Sequence, residues 1–480
     1  MLAELRRWRD RAPDRTAVRA TTLDGTTRTT SWSALYDAAV AAAATADRDP
    51  PGPGPVVLLV DGSAAALAVL LGLTAAGQEV LLLEEQSSFL ADPASPVCHV
   101  GATVVIGPDR AAGVPERFGF RSYQQLCRPG AGPPPEPPAQ GGVLQLTSGS
   151  TGEPKLARQP LRHLVHGGHT YRQLFRIGRS DRVLVPVPLV HSFGLVGGWF
   201  AALAAGAELW TLGRFHPGRV RAGLAGGATV LLGTPLLYRL LAPALTGTPR
   251  PGRLRVALSS GGPLDPALAA EVGRRLGVPA RQIYGSTETG LIAYQPESSA
   301  RWPDGMVGVA APGVRLRTEP VPWLPDGTGQ LLVQTPTMFT GYAGTVDRTG
   351  EWYQTEWYQT GDLARIDRHG RIELLGRKDS FVNVGGRKVN PLRIERIIAE
   401  HPGVREVAVY GVTDPGQEQR LHAAVVLVAG TGIGDVVGFC RDRRLQPYEV
   451  PHRLHRVPRL PRTPMGKVDR RALPTGAEAG

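Results

Sequence analysis

The apolar run Val143–Leu146 leads directly into Thr147-Ser148-Gly149-Ser150-Thr151-Gly152-Glu153-Pro154-Lys155. Hydroxyl groups and glycines let a backbone wrap closely around phosphate oxygens, and the ammonium of Lys155 adds a positive charge. A Walker loop needs Gly-Lys followed by Ser or Thr, whereas Lys155 here follows proline and precedes leucine. The segment therefore predicts a phosphate-binding loop of another kind at the end of a strand, with a plain glycine-rich turn as the alternative reading.

Short apolar runs alternate with helix-like stretches on both sides of this loop. Upstream, Val56–Val60 and Val80–Leu83 flank a helical stretch from Ala64 to Ala76 that Gly77 closes, which is the βαβ pattern. From the loop onward, we expect each apolar run to be followed by a helix. These runs are Val143–Leu146, Val183–Val187, Val230–Leu232 and Val256–Leu258. Two successive doubly wound units are the simplest interpretation.

The pattern changes after Gly290 to short runs that Gly and Pro separate, which predicts a small β-rich, barrel-like subdomain. The last hundred or so residues predict an α+β domain. We therefore expect an α/β protein with a large N-terminal domain over residues 1–376 and a smaller, mobile domain over residues 377–480. The runs behind these assignments are Gly313–Arg317, Gly329–Val333, the helix Pro391–Glu400, Val404–Val412 and Leu421–Val428.

Length and composition narrow the class of protein. A chain of 480 residues has ample material for two or more domains. The net charge of +12 comes from scattered arginines that form no stripe interleaved with aromatic residues, so we expect anionic small molecules and no nucleic acid as partners. The N-terminus lacks the apolar core of a signal peptide, no apolar run is long enough to span a membrane, and the three cysteines share no metal-type spacing. A reduced, cytoplasmic setting without membrane attachment is the expectation.

Two further motifs carry the chemistry of a nucleotide site. In Tyr284-Gly285-Ser286-Thr287-Glu288-Thr289, an aromatic ring can stack on a base, a hydroxyl can bond a phosphate, and a carboxylate can hold magnesium. In Thr360-Gly361-Asp362, a carboxylate follows a tight turn and can accept both hydroxyls of a ribose. Each motif alone is weak evidence for a nucleotide site.

The order of six motifs is specific. The three motifs above are followed by Gly376-Arg377-Lys378-Asp379, Gly385-Gly386-Arg387-Lys388 and Pro464-Met465-Gly466-Lys467. From about Leu5 to Leu473, the chain closely resembles the adenylate-forming superfamily of acyl-CoA synthetases, carrier-protein adenylation domains and luciferases. The resemblance implies a ligase that uses ATP and Mg²⁺ to convert a small carboxylic acid into an acyl- or aryl-AMP, with release of pyrophosphate. It also implies transfer of the acyl group to a phosphopantetheine thiol, either of coenzyme A or of a separate acyl carrier protein.

The resemblance assigns the nucleotide contacts position by position. The Thr147–Lys155 loop would hold the β- and γ-phosphates, Thr287 the α-phosphate and Glu288 the magnesium ion. Tyr284 would flank the adenine, Asp362 would take the ribose hydroxyls and Arg377 would reach ribose or phosphate. The implied nucleotide set is Thr147, Ser148, Gly149, Ser150, Thr151, Gly152, Lys155, Gly261, Gly262, Pro263, Tyr284, Gly285, Ser286, Thr287, Asp362, Arg377 and Lys467.

Lys467 is the residue expected to carry adenylation. Its ammonium can bridge the incoming carboxylate and the α-phosphate and offset the charge that develops during displacement of pyrophosphate. Asp379 matches the family's hinge, about which the small domain would rotate to bring Gly385 and Gly386 to the thiol tunnel. Many relatives have a lysine where this chain has Asn383, which leaves the thiol donor open. The implied catalytic residues are Lys467, Lys155, Thr287, Glu288 and His191.

The acyl pocket is expected around residues 188–194, with His191 at its rim or, alternatively, as a structural histidine. Ile283 stands where relatives with roomy pockets often have glycine, so a branched side chain would favour a compact or aromatic acid. The implied pocket residues are His191, Phe193, Gly194, Gly261, Ile283 and Tyr284. His163, His166 and His169 recur at threes in a predicted helix, and a solvated or partner-facing stripe is favoured over a metal site.

Three alternatives stay open at this point. The chain could adenylate an oxyanion other than a carboxylate, or release acyl-AMP as its product without a thiol step. It could also be a non-catalytic nucleotide-binding homologue, although Lys155, Glu288, Asp362, Arg377 and Lys467 are all present. Only four of the 54 basic residues are lysines, which indicates a high-GC genome, and we expect a place in secondary metabolism.

Overall fold

The protein is described from a computed structural model that covers two units. Described are residues 1–22, 24–52, 54–108, 114–128, 141–148, 154–344, 353–354, 356–413, 419–442, 445–462 and 468–475. The first unit comprises Met1–Arg315 with Val333–Tyr358, and the second comprises Leu316–Leu332 with Gln359–Gly480. The domain boundary expected near Gly376 stays a prediction.

The helices and strands are numbered here in chain order. The helices are α1 Leu2–Arg11, α2 Trp32–Arg48, α3 Ala64–Ala75, α4 Pro96–His99, α5 Tyr123–Leu126, α6 Leu161–Leu174, α7 Ala201–Ala205, α8 Pro217–Ala225, α9 Pro235–Ala244, α10 Pro266–Leu276, α11 Pro391–Ala399 and α12 Ile433–Asp442, and a π-helix, Phe193–Phe200, precedes α7. The strands are β1 Thr16–Thr21, β2 Thr27–Ser31, β3 Val56–Val60, β4 Val80–Glu84, β5 Val104–Gly107, β6 Gly119–Ser122, β7 Gly142–Ser148, β8 Pro154–Pro160, β9 Arg182–Val185, β10 Glu208–Leu212, β11 Val230–Gly233, β12 Val256–Ser259, β13 Ala280–Ser286, β14 Gly290–Tyr294, β15 Met306–Ala310, β16 Arg315–Pro320, β17 Thr328–Gln334, β18 Tyr342–Ala343, β19 Tyr353–Gln354, β20 Trp357–Ile366, β21 Arg371–Arg377, β22 Val382–Val384, β23 Arg387–Val389, β24 Val404–Thr413, β25 Gln419–Leu427 and β26 Arg453–Arg456.

Two mainly parallel sheets form the first unit, which confirms the α/β prediction. One sheet has the order β18-β8-β7-β4-β3-β5-β6, and the other runs β15-β14-β13-β12-β11-β9-β10-β1-β2 within this unit. The inner strands β3, β4 and β9 to β12 are almost wholly buried, as expected for parallel strands that helices cover on both faces. Parallel strands end at one edge of each sheet, and this edge carries the candidate site.

The prediction for the run Val143–Leu146 was wrong in one respect. The loop at its end leads into β8, which pairs antiparallel with β7 and sets Thr147 opposite Lys155. The expected helix, α6, starts only at Leu161. Burial along β8 is uneven, with Leu156, Ala157 and Gln159 buried, and the helical period is absent from this stretch. A hairpin therefore returns the phosphate loop's lysine to the loop's first residue.

The sequence reading also missed that the N-terminal strands belong to the second sheet. β1 pairs in parallel with β10, and β2 pairs antiparallel with β1. The two sheets are therefore not successive along the chain, because β1 pairs with a strand that follows about 190 positions later. Neither strand shows a strict alternation of apolar and polar residues, which explains why the pattern gave no signal.

The second unit contains antiparallel strands and an α+β part. Strands β16, β17, β20 and β21 lie in this order, and β24, β25 and β26 form a three-stranded sheet against which α11 and α12 pack. The β-rich segment expected after Gly290 and the α+β segment expected at the C-terminal end are both confirmed. In the part of the chain that the structure describes, no helix has the length and apolar character needed to cross a membrane.

Candidate active site

The predicted phosphate loop begins and ends on adjacent strands. Thr147 on β7 and Lys155 on β8 are paired residues. Among the described residues, the hydroxyl of Thr147 is buried and has no hydrogen-bond partner. A buried hydroxyl without a partner is costly unless a ligand completes it, and a phosphate oxygen would do so. Gly149, Ser150, Thr151 and Gly152 lie outside the described residues, as does the side chain of Ser148.

The turn Thr287–Thr289 at the end of β13 is held from two sides. The side-chain amide of Gln159 donates to the carbonyl of Thr287. From the other side, the hydroxyls of Thr335 and Thr337 both donate to the carbonyl of Thr289, each over 2.7 Å. The preceding Gly285 allows the tight approach, because a Cβ there would collide with the carbonyl of Gly290. The turn is therefore fixed independently of any ligand.

Glu288, the predicted magnesium ligand, lies in this turn with only 8% of its surface exposed. The hydroxyl of Tyr342 donates to its Oε1 over 2.9 Å. The ring of the same tyrosine faces Lys155, whose Nζ lies 5.2 Å from the ring centroid. Two of the predicted catalytic side chains, Lys155 and Glu288, therefore share one neighbour that sequence reasoning missed.

The residues predicted to flank the adenine follow on the neighbouring strand ends. Ser259 ends β12 and is paired with Gln282 on β13, so the Gly261–Pro263 segment starts beside the strand that carries Tyr284. The buried hydroxyl of Ser259 has no partner among the described residues. Gly261 has φ +89°, and a Cβ at Gly262 would meet nothing closer than 3.9 Å. Open space beside a buried unpaired hydroxyl suits a planar polar ligand.

The 188–194 segment is tied to the strand that leads into the phosphate loop. Gln145 on β7 is 1% exposed, donates to the carbonyl of Val190 over 2.7 Å and accepts from the hydroxyl of Ser192 over 2.9 Å. The buried Nε2 of His191 has no hydrogen-bond partner among the described residues and lies 3.6 Å from Oε1 of Glu84. The histidine at the predicted pocket rim thus lies beside a carboxylate, with which it forms an ion pair when the ring is protonated.

The remaining pocket residues are buried. Phe193 and Gly194 begin the π-helix, and Ile283 on β13 is 3% exposed within the largest apolar cluster. A Cβ at Gly194 would lie 2.5 Å from the carbonyl of Pro188, so the segment folds back tightly on itself. The branched side chain of Ile283 lies in the core on the strand that leads into the Thr287–Thr289 turn.

The second unit brings together the ribose and hinge residues. Asp362 on β20 pairs with Arg377 on β21, and the guanidinium lies 3.6 Å from Oδ1 of Asp362 and 3.6 Å from Oδ1 of Asp379. Gly361 precedes the carboxylate with φ +75° but lies inside β20, so the predicted tight turn is wrong and a local irregularity within a strand takes its place. Arg377 also donates to the carbonyl of Thr360 over 3.0 Å. One arginine therefore contacts both the predicted ribose ligand and the predicted hinge.

Gly385 and Gly386, the predicted tunnel residues, form the turn between β22 and β23 with φ +55° and +82°. Asn383 lies on β22 opposite Lys388, and its backbone N–H donates to Oε1 of Gln419 over 2.8 Å. These positive φ values need glycine. Asn383, Gly385 and Gly386 are thus exposed residues of one two-stranded hairpin.

Lys467 lies outside the described residues, but the chain that follows it is anchored. Arg470 donates to Oε1 of Glu395 over 2.6 Å and to the carbonyl of Val409. Glu395 also accepts from the N–H of Val409 over 2.8 Å. Burial raises the pKa of Glu395, and Arg470 opposes that shift. This ion pair fixes the backbone three residues after the predicted catalytic lysine.

Two of the three histidines at 163, 166 and 169 make contacts that link α6 to other segments. Nδ1 of His163 lies 2.6 Å from the carbonyl of Met338, and Nε2 of His169 lies 2.8 Å from Oε1 of Glu4. Burial lowers the pKa of His163, which favours its neutral form. His163 therefore links α6 to the segment that holds the Glu288 turn.

The site fits a magnesium-bound nucleoside triphosphate. Mg²⁺ is usually bound through one or two carboxylates together with substrate phosphates, and Glu288 supplies one buried carboxylate whose second oxygen is not taken by Tyr342. The unpaired hydroxyl of Thr147 and the ammonium of Lys155 stand at the ends of the loop predicted for the phosphates. A larger protein cage is not needed for this ion, and within the described residues no cluster of three or more His, Cys, Asp or Glu forms one.

Comparison with known proteins gives a consistent result. The AMP-binding enzyme model matches residues 5–343, and the AMP-binding enzyme C-terminal domain model matches residues 393–467. A probable CoA ligase of Humulus lupulus is 26% identical over 70% of the chain and 66% of its own length. Sulfoacetate–CoA ligase of Cupriavidus necator is 32% identical over 71% of the chain and 68% of its own length. The aligned part thus spans about two thirds of these relatives.

Among solved structures, ATP-bound MatB from Rhodopseudomonas palustris is 27% identical. The similarity covers 98% of this chain and 97% of that chain, with a TM-score of 0.84. The likeness therefore extends over both units of the chain.

Proposed function

The chain belongs to the AMP-binding enzyme family, and from this premise we propose that it is an AMP-forming acid–thiol ligase. It activates a carboxylic acid with ATP to give an acyl-adenylate and pyrophosphate, and then passes the acyl group to a phosphopantetheine thiol. The observation that carries the proposal is the shared placement of Lys155 and Glu288 around Tyr342 at the end of the phosphate loop. A cation and a metal-binding carboxylate beside one loop suit a triphosphate.

Each residue acts on a different part of the reactants. Thr147 and Lys155 bind the β- and γ-phosphates, and Thr287 binds the α-phosphate. Glu288 would hold a magnesium ion, which when bound would supply positive charge beside the phosphates. Lys467 contacts the attacking carboxylate and the α-phosphate together, so that the charge of the transition state meets a fixed cation.

The nucleoside contacts of this proposal are those that the family resemblance implies. Tyr284 stacks on the adenine, with Gly261, Gly262 and Pro263 on the opposite face. Asp362 accepts the two ribose hydroxyls, because a carboxylate offers acceptors on both oxygens. Arg377, already beside Asp362, adds a positive charge near the ribose or phosphate.

The acceptor is the thiol of coenzyme A. The relatives named above are CoA ligases, and a chain with a charge of +12 suits an anionic thiol donor. A separate carrier protein is the competing acceptor and is distinguished by the experiment below. Rotation about Asp379 would exchange Lys467 for the Gly385–Gly386 turn between the two half-reactions, in a small domain that starts near residue 377.

The acid is compact or aromatic. The fully buried Ile283 fills the core beside the Thr287–Thr289 turn, where a smaller residue would leave room for a long chain. His191, whose Nε2 lies 3.6 Å from Oε1 of Glu84, supplies a polar contact at the rim. Cytoplasmic residence and a place in secondary metabolism stay predictions from the sequence.

Pyrophosphate release tests the proposal directly. The protein is given Mg-ATP and a panel of short-chain, aryl and long-chain acids, first without thiol and then with coenzyme A or a phosphopantetheinylated carrier. We expect release with a few compact acids and thioester formation with coenzyme A. Lys467→Ala should abolish release while leaving thioester formation from a supplied acyl-adenylate.

Three other outcomes would contradict parts of the proposal. Thioester formation with the carrier alone would replace coenzyme A as the acceptor, and palmitate as the best acid would overturn the compact pocket. ATP binding, seen as a rise in melting temperature, without release for any acid or oxyanion would identify a nucleotide-binding protein without ligase activity.

A further inference from the structure

We propose that Tyr342 is a positioning residue that sets the places of Lys155 and Glu288 relative to each other before the nucleotide binds. The proposal rests on the proposed function, in which these two side chains act on one triphosphate and its metal ion. No sequence motif pointed to Tyr342. Its role follows from two contacts made by opposite parts of one side chain.

The first contact is between the ring and Lys155. β18 is paired with β8, and Tyr342 lies opposite Ala157. Side chains two residues apart on a strand share a face, so Lys155 and the residue opposite Tyr342 lie on the same side of β8. The Nζ of Lys155 is 5.2 Å from the ring centroid, within the range of a cation–π interaction. The ring therefore limits where the lysine ammonium can point.

The second contact is between the hydroxyl and Glu288. The phenol donates to Oε1 over 2.9 Å, and the carboxylate is almost fully buried. Hydrogen bonds to a buried charged group are stronger than those between neutral groups. Holding Oε1 restricts rotation of the carboxylate, while Oε2 keeps its lone pairs for a cation. The hydroxyl thus orients a metal ligand without taking its place.

The tyrosine itself is held by its own segment. The ring of Phe339 packs edge-on against Tyr342 with centroids 4.9 Å apart, and the N–H of Phe339 donates to the backbone carbonyl of Glu288 over 2.7 Å. The same segment is tied to the neighbouring turn through Thr335 and Thr337. A side chain fixed in this way can hold two others in a set geometry in the absence of ligand.

The two contacts can be separated with two variants. Tyr342→Phe keeps the ring over Lys155 and removes the donor to Glu288, whereas Tyr342→Leu removes both contacts. Binding of ATP without an acid substrate is measured by calorimetry at increasing Mg²⁺, so that the readout does not depend on turnover.

We expect Y342F to bind ATP without metal as the wild type does, and to need about tenfold more Mg²⁺ for the same tightening of binding. Y342L should show this shift and, in addition, bind metal-free ATP about threefold more weakly because the lysine loses its place on the ring. All variants are compared well below their own melting temperatures. Should Y342F not fold, the Mg²⁺ shift is read from Y342L.

Two control variants exclude a general loosening of the fold. Tyr36→Phe removes a tyrosine hydroxyl at a remote site where the guanidinium of Arg9 lies 4.3 Å from the ring centroid. Phe339→Leu weakens the packing against Tyr342 but keeps both of its polar contacts. We expect wild-type Mg²⁺ dependence in Y36F and a shift of less than about twofold in F339L.

The outcomes separate this proposal from the proposed function. Wild-type Mg²⁺ dependence in Y342F, or equal shifts in Y342F and F339L, overturns the positioning role even when the protein releases pyrophosphate. A tenfold shift in Y342F supports the role even when no acid gives pyrophosphate, in which case the ligase function alone fails.

Discussion

Arg470 offers the sharpest test of how the C-terminal unit supports the segment next to Lys467, the predicted catalytic lysine. Its guanidinium makes a hydrogen bond of 2.6 Å to the carboxylate of Glu395 and another to the carbonyl of Val409. A hydrogen bond that involves a charged group contributes about 1.5–3 kcal/mol, and both bonds are donated by the charged guanidinium. Because the Arg470 side chain is 36% exposed, solvent screens part of this sum. We therefore expect Arg470→Met to destabilise the unit by about 2 kcal/mol.

The loss should depend on pH. Burial already raises the pKa of Glu395, and removing Arg470 removes a cation that lowers it. In the variant, the pKa of Glu395 in the folded protein then lies further above its unfolded value near 4.5. The variant therefore has a lower free energy of unfolding than the wild type at neutral pH, and this difference shrinks as pH falls toward 4.5. Urea unfolding at several pH values measures this difference.

The effect on activity follows from the chain order. Lys467 precedes Arg470 by three residues, so the anchor limits how far the lysine can stray. Adenylation should fall about tenfold in R470M, whereas transfer from a supplied acyl-adenylate should change less than about twofold. Arg471→Met is the matched control, because this exposed neighbour lies in the same short segment. Equal stability and equal adenylation in R470M and R471M would refute the reasoning.

Three further predictions concern the first unit. Gln145→Leu should leave the buried carbonyl of Val190 unsatisfied and lower the free energy of unfolding by about 1–3 kcal/mol. It should also raise KM for the acid more than KM for ATP. An unchanged KM for the acid would count against a link between Gln145 and the acyl pocket. Ile283→Gly should shift acid selectivity toward longer chains at a cost in melting temperature, and unchanged selectivity in a chain-length series would show that Ile283 does not bound the pocket. The fold should lose stability as pH falls below about 6.5, because burial lowers the pKa of His163 in the folded protein and the unfolded chain takes up the proton first. His163→Gln should reduce this pH dependence of the melting temperature, measured by calorimetry. The same pH dependence in both proteins would exclude His163 as its cause.

The strands of the parallel sheets were predictable because their apolar residues are continuous and helices of regular period follow them. Val56–Val60 and Val80–Glu84 match their predicted limits within one residue. The strand predicted over Val183–Val187 ends earlier, at Val185, just before Pro186, because proline cannot donate to the sheet. Periodicity thus located the elements better than their ends.

Pairing between distant strands was not predictable. The antiparallel hairpin of β7 and β8 and the placement of β1 beside β10 depend on which exposed edge each strand meets. Residues of β1 are polar and apolar in no regular order, so burial is decided by the neighbouring strand and not by its own pattern. A local period carries no information about a partner about 190 residues away.

The sequence by itself determined the family, the α/β class and the chemical groups of the site, because glycines, hydroxyls, carboxylates and lysines recur in one order along the chain. Only the tertiary structure decided that Tyr342 contacts both Lys155 and Glu288, and that Gln145 joins the phosphate strand to the predicted pocket. These residues lie outside the motifs and act through contacts between segments far apart in sequence. A motif records which groups a ligand needs, whereas the fold determines which other side chains hold those groups in place.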